Sequence, residues 1–313
     1  MITRQDVLTA RERIDVHVRR TPVVAAGPAP SGVWLKCEFL QYTGVFKVRG
    51  AFNRILAARD RGELDPVRGV VVASGGNAGL ANAYAAAVLG VPATVFVPET
   101  APLVKVSRLR DYGADVRLVG QQYADAYDAA RSFVEVSGAL LSHAYDQAEI
   151  AAGAGTIAEE IVDDIPDIDT IVVAVGGGGL FAGVAASAEG RIRVVAVEPT
   201  SIRTLHDALA AGAPVDVDVS GIAADSLGAR RIGDIAFAVA ARTAPVSVLV
   251  DDSAIVEARE RLWSDFRVAA EYGAATAYAA LTSGAYRARP DERIAVVVSG
   301  ANTDPATLGR EAR

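Results

Sequence analysis

Short apolar runs recur along this chain, each closed by small polar or glycine-rich residues and followed by apolar positions at helical spacing. The first clear set lies at residues 69–119. It comprises a β-branched run at 69–73, the turn Ser74-Gly75-Gly76-Asn77-Ala78-Gly79, helical spacing over 80–89, a strand at 92–97, a helix near 102–112 and a strand at 115–119. Helices at 123–137 and 150–164 lead into a second set. There residues 170–175 predict a buried strand, Gly176, Gly177, Gly178 and Gly179 its turn, 180–188 a helix and 192–197 the next strand. Helices near 201–211 and 229–241, a strand at 246–250, helices at 252–263 and 271–287 and a strand at 293–298 complete the pattern. Upstream, residues 3–18 read as a helix capped by Thr3 or Asp6, and residues 33–38 alternate as a strand with Lys36 on its polar face. Strands alternating with helices predict α/β architecture with parallel sheets in two units.

Composition narrows the function more than the fold. The 313 residues allow about two domains and a sizeable core. At 51% hydrophobic and 22% charged, the chain has the make-up of an ordinary globular protein. A net charge of −7 with interspersed signs argues against nucleic acid as a partner. One cysteine, Cys37, excludes an intramolecular disulfide. The first twenty residues do not read as a signal peptide, and no apolar run approaches the ~20 residues that span a bilayer. No membrane association and a cytoplasmic location are expected.

The densest chemistry lies in Thr43-Gly44-Val45-Phe46-Lys47-Val48-Arg49-Gly50-Ala51. Lysine occurs only at positions 36, 47 and 105 among 31 cationic residues. Arginine stays protonated, whereas a lysine in apolar surroundings can act as nucleophile or base. Three apolar strands end in hydrogen-bond-rich turns, after residues 73, 175 and 298. Ligands of open parallel sheets bind at such carboxyl ends, and the four-glycine turn is the best phosphate cradle. Gly177-x-Gly179-x-x-Ala182 with Glu198 also fits a dinucleotide fingerprint, which alone would suggest a nicotinamide-dependent oxidoreductase. That reading leaves Lys47, the Ser74 turn and Ser299 without roles. His17, His143 and His206 show no metal-ligand spacing, and neither a Gly-x-Ser-x-Gly elbow nor a His-Glu-x-x-His helix is present.

Taken in order, these motifs resemble the fold type II (tryptophan synthase β-like) pyridoxal-phosphate enzymes, and within them the serine/threonine dehydratases. The resemblance is carried by Lys36-x-Glu38, Gln41-x-Thr43-Gly44-Val45-Phe46-Lys47-x-Arg49-Gly50-Ala51, the Ser74 turn, the Gly176 turn with Leu180, Val197-Glu198-Pro199, Glu271-x-Gly273-Ala274 and Ser299-Gly300-Ala301-Asn302. It implies two parallel-sheet domains: a large cofactor domain of residues 1–47 and 149–313, and a small one of 48–148 carrying the substrate-carboxylate turn. It also implies that Lys47 holds pyridoxal 5′-phosphate as a Schiff base, with Phe46 on one ring face. Asn77 would bond the 3′-oxygen, Gly176, Gly177, Gly178, Gly179 and Leu180 would hold the phosphate, and Ser299 would face the ring nitrogen. A neutral ring facing a serine suits β-elimination. The implied activity is loss of water from a β-hydroxy amino acid, giving a 2-keto acid and ammonia. Ser74, Gly75, Gly76, Asn77 and Ala78 would bind the substrate carboxylate, Lys47 would take the Cα proton, and the cofactor phosphate would protonate the departing hydroxide. A β-replacement enzyme or a threonine synthase of the same fold is the alternative.

Some positions depart from the family pattern. Val45 stands where serine is usual, which bears on side-chain preference. Racemising relatives carry a serine where this chain has Gly75, so no racemase activity is expected. Near Glu198 the carboxylates of a divalent site are missing, and a monovalent cation such as K⁺ is expected instead, held by Glu198 and Thr204 with carbonyls of Ile202, Leu227 and Ala229. The eleven residues after Asn302 lead us to expect no regulatory domain, and a homodimer is common among relatives.

Overall fold

The computed structural model describes residues 1–27 and 32–308. In chain order its elements are α1 (Arg4–Ile14), β1 (Val23–Ala25), β2 (Val33–Lys36), α2 (Lys47–Asp60), β3 (Val70–Ala73), α3 (Asn77–Leu89), β4 (Ala93–Val97) and α4 (Leu103–Asp111). Then come β5 (Asp115–Leu118), α5 (Tyr123–Ser137), β6 (Leu140–Leu141), α6 (Ala148–Asp164), β7 (Thr170–Ala174), α7 (Gly179–Ala188) and β8 (Arg193–Pro199). The last are α8 (Thr204–Ala211), α9 (Ala224–Leu227), α10 (Asp234–Thr243), β9 (Val246–Val250), α11 (Asp252–Phe266), α12 (Tyr272–Thr282) and β10 (Ile294–Val297).

Two sheets result. Six strands run in the order β1-β2-β10-β7-β8-β9 and four in the order β5-β4-β3-β6. Every pair is parallel except β1 with β2. Parallel strands covered on both faces need continuous apolar sequence, and β3, β7 and β10 are buried at every residue. On one face of the six-stranded sheet, Ile157, Ile161 and Phe181 pack from α6 and α7, and on the other Ile255 and Leu262 pack from α11. Phe52, Leu56 and Leu80 cover one side of the four-stranded sheet, and Ala126 and Ala130 of α5 the other. Among the described residues no helix is long and apolar enough to cross a membrane.

The α/β architecture follows the sequence pattern, and one placement is corrected. Lys36 does not lie on a polar face: it is fully buried and its Nζ donates to Glu160 and to the Thr21 carbonyl, both at 2.6 Å. Simple alternation supposes a strand with one wet side. β2 lies between β1 and β10, and Glu160 of α6 meets it from that side.

Candidate active site

Lys47 opens α2, and the residues before it are fastened to the end of β10. Val45 bridges Gly300, the Phe46 amide donates to the Ser299 carbonyl at 3.0 Å, and the Ala301 amide donates to the Gly44 carbonyl at 2.9 Å. Below, Arg49 anchors the helix in a buried ionic cluster. Its Nε and Nη2 donate to Glu38 at 2.8 Å, its Nη1 donates to Glu160 at 2.7 Å, and Lys36 completes the set. α2 crosses α6 closely because Gly50 brings no side chain: a Cβ there would lie 2.7 Å from the Ile150 carbonyl. Lys47 is therefore held on a rigid base, and its Nζ donates to the Ala144 carbonyl at 3.2 Å. Burial lowers its pKa to about 8, against a smaller opposing pull from Glu271.

A cavity of about 690 Å³ lies over this lysine, where the carboxyl ends of β3, β7 and β10 converge. Lys47, Ser74, Asn77, Gly177, Glu271 and Ser299 are among its walls, and Gly75, Gly76, Ala78, Gly176, Gly178 and Gly179, with Phe46 and Leu180, line it too. The Gly176 turn can be made only of glycine. A Cβ on Gly177 would meet the Tyr145 ring at 2.4 Å, and one on Gly178, at φ +91°, would meet Ala236 at 2.5 Å. Among the described residues the amides of Gly176, Gly177, Gly178 and Gly179 have no acceptor, so they stand free at the N-terminus of α7. The Ser74 turn repeats this on a smaller scale at the N-terminus of α3. Gly76 donates to Ser74 Oγ at 3.3 Å, while the amides of Gly75, Asn77 and Ala78 have no acceptor among the described residues.

Asn77 is more engaged than the sequence implies. Its Nδ2 donates to Glu271 at 2.8 Å, and its Oδ1 accepts from Asn302 Nδ2 at 2.8 Å. The Asn302 amide also donates to Glu271 at 2.9 Å. Burial raises the Glu271 pKa, opposed by these donors. Glu271, which the sequence carries only as part of a motif without a role, thus puts a carboxyl group in the cavity wall. Tyr123 and Tyr145 were missed, and both line the cavity. An aromatic in a loop or a helix start carries no period that would mark it.

The Glu198 cluster lies behind the Gly176 turn. Glu198 is fully buried and accepts from Thr204 Oγ1 at 3.0 Å and from the amides of Leu205 and His206 at 2.7 and 2.8 Å. Thr204 Oγ1 also lies 2.6 Å from the Gly176 carbonyl. Burial raises the Glu198 pKa to about 7, and no Lys or Arg pairs with it among the described residues. Ile202 is buried beside it, whereas Leu227 and Ala229 line the main cavity. Among the described residues no group of three or more His, Cys, Asp or Glu side chains could hold a metal ion.

Comparison with known proteins agrees with this geometry. The family profile described as pyridoxal-phosphate dependent enzyme matches residues 14–300. The chain is 33% identical over 320 residues to an L-threonine ammonia-lyase of Thermotoga maritima, covering 99% of this chain and 78% of that protein. The structure of maize serine racemase superposes with a TM-score of 0.90 at 32% identity, covering 97% of this chain and 95% of that one. The serine racemase of Dictyostelium discoideum gives 0.89 at 31% identity, covering 97% and 99%.

Proposed function

The chain belongs to the pyridoxal-phosphate-dependent enzyme family, and from that premise we propose that it is an L-serine/L-threonine dehydratase, removing water from a β-hydroxy amino acid to give a 2-keto acid and ammonia. One observation carries the reading: a half-buried lysine with its pKa near 8 lies between two turns of unpaired amides in one cavity. Pyridoxal phosphate fits these residues. The Gly176 turn offers free amides to a phosphate, Lys47 an amine to the aldehyde, and Ser299 a hydroxyl in the wall. Once bound, the cofactor supplies an electron sink for the bond broken at Cα.

The protein's own residues do the rest. The amides of Gly75, Asn77 and Ala78, with the Ser74 hydroxyl, hold the substrate carboxylate. Lys47, whose lowered pKa makes its free amine available far below the ordinary lysine range, would take the Cα proton. Glu271 and Asn302 orient Asn77 from the far side, and Phe46 packs beside the lysine. Gly75 offers no proton to the opposite face, and a side chain there would press on Val97 at 3.2 Å. Elimination without racemisation is the expected outcome. The family match leaves the nicotinamide reading no support, while β-replacement is separated by its need for an added nucleophile.

We further assign residues 1–47 with 149–313 to a large domain and 48–148 to a small one, supported by the two sheets dividing the strands in that way. A cytoplasmic, homodimeric protein completes the proposal. A monovalent cation such as K⁺ at Glu198, Thr204 and the carbonyls of Ile202, Leu227 and Ala229 belongs to it too, supported by a buried carboxylate that no basic side chain neutralises. Activity indifferent to exchanging K⁺ for Na⁺ would remove the cation.

The test is 2-keto acid release from a panel of L-β-hydroxy amino acids, with Lys47→Ala as control. We expect keto acid from serine or threonine, loss of activity and of the yellow colour in the variant, and no D-serine. A yellow protein that releases no keto acid but consumes substrate once a thiol is added is instead a β-replacement enzyme.

A further inference from the structure

Beside Lys47, sharing part of its wall with the main cavity, lies a side chamber of about 20 Å³ that Gly50, Asn82, His143, Ile150 and Ala154 close off. Asn82 is a polar residue flanked by Ala81 and Ala83 on α3, and it is 2% exposed. Its Nδ2 donates back to the Ala78 carbonyl at 2.9 Å, which fixes the orientation of the amide, because a flipped oxygen would face that carbonyl. Its Oδ1 is then left buried with no hydrogen-bond partner among the described residues. Such an acceptor is costly to bury unless something donates to it.

The surroundings determine what can donate. His143 Nδ1 accepts from the amides of Asp146 at 2.9 Å and Tyr145 at 3.2 Å, so the ring keeps its hydrogen on Nε2 and can only donate. No acidic side chain lines the chamber, which disfavours a cation next to the Lys47 amine. The Asn82 oxygen in turn repels an anion. A volume near 20 Å³ holds one molecule of water size, for which ~10–15 Å³ suffices.

We propose that this chamber binds one ordered water, which donates to Asn82 Oδ1 and hydrates the Lys47 amine, making Asn82 a positioning residue for the base. The water is independent of the reaction assigned above; only the consequence for Lys47 rests on the dehydratase reading. A hydrating water favours the ammonium form, so its loss lowers the affinity of Lys47 for a proton.

The test is a high-resolution crystal structure of the holoenzyme and of its Asn82→Leu variant, together with their pH–rate profiles. We expect a water about 2.7–3.2 Å from Asn82 Oδ1 in the parent and none in the variant. The acid limb of kcat should move about 0.5–1 pH unit lower in the variant, with KM within about twofold. A dry chamber in the parent holoenzyme overturns the site, whatever the variant does. A water present in the parent with an unmoved acid limb in the variant overturns the link to Lys47. Failure of every panel substrate to release keto acid sinks the dehydratase reading, while the density in the chamber still decides the water.

Discussion

Lys47 owes its chemistry to where α2 begins. As the first residue of the helix it carries a partly buried amine near its deprotonation point, because desolvation outweighs the attraction of Glu271. A group whose pKa falls from 10.5 to about 8 is mostly free amine above pH 8, where an ordinary lysine is still charged. Uptake of pyridoxal phosphate by cofactor-free protein should therefore speed up with pH and level off above about 8, not 10.5. Stopped-flow absorbance across that range checks it, and a rate still rising near the ordinary lysine pKa would contradict the lowered value. The same residue shows what sequence can and cannot reveal. Its rarity and glycine-flanked setting mark Lys47 as chemical, but nothing local indicates that Glu271 and His143 face it or that Asn82 lines a chamber beside it. Those neighbours come from elements that the chain brings together only on folding.

Among elements, α2 and α6 carry the most electrostatic weight. Arg49, Glu38, Glu160 and Lys36 form a nearly solvent-free cluster in which each charge is matched and hydrogen-bonded. Removing one partner leaves an uncompensated buried charge, whereas the paired set contributes little by itself. Arg49→Met should lower the unfolding free energy by about 3–5 kcal/mol, measured by urea denaturation. Arg49→Lys should recover only part of this, since an ammonium cannot make the two-pronged contact with Glu38. Element positions were legible wherever an apolar run was long enough to show its period, as for β3, β7 and β10. β1 and β6, of three and two residues, were too short to register. α10 starts at Asp234, not near 229, because Asp146 accepts from the amides of Asp234 and Ile235, both at 3.1 Å. A cap supplied from 88 residues away has no local signature.

Across the whole molecule, the two sheets meet at the cavity and are tied over its rim. Lys105 of α4 pairs with Asp225 of α9, and Arg108 donates to Asn302 Oδ1 at 2.7 Å. The Lys105–Asp225 pair is largely exposed, with Asp225 at 72%, so it contributes little to stability. Its position matters more, because both residues line the cavity and join α4 of one sheet's unit to α9 of the other. Lys105→Met should change the unfolding free energy by less than ~1 kcal/mol and raise KM about two- to fivefold by favouring the open form. Steady-state kinetics beside a denaturation curve separates the two effects, and an unchanged KM would rule the pair out as a latch. The two-sheet plan and the order of the three turns could be read from the chain. The rim contacts could not, since they join polar residues whose spacing in sequence says nothing of their distance in space.

The fastening of Val45 and Phe46 to Ser299 and Gly300 also bears on how the protein is made. The four-stranded sheet draws only on residues 70–141 and can begin to form while the ribosome is still translating the second half of the chain. The lysine segment has to wait. Until the codons for Ser299, Gly300 and Asn302 have been read and those residues have left the exit tunnel, the segment just before Lys47 lacks its fastening and Asn77 lacks one of its two partners. A nascent chain released before that point would lack the contacts that set its lysine for the vitamin-derived group, so loading follows synthesis of the Ser299 turn.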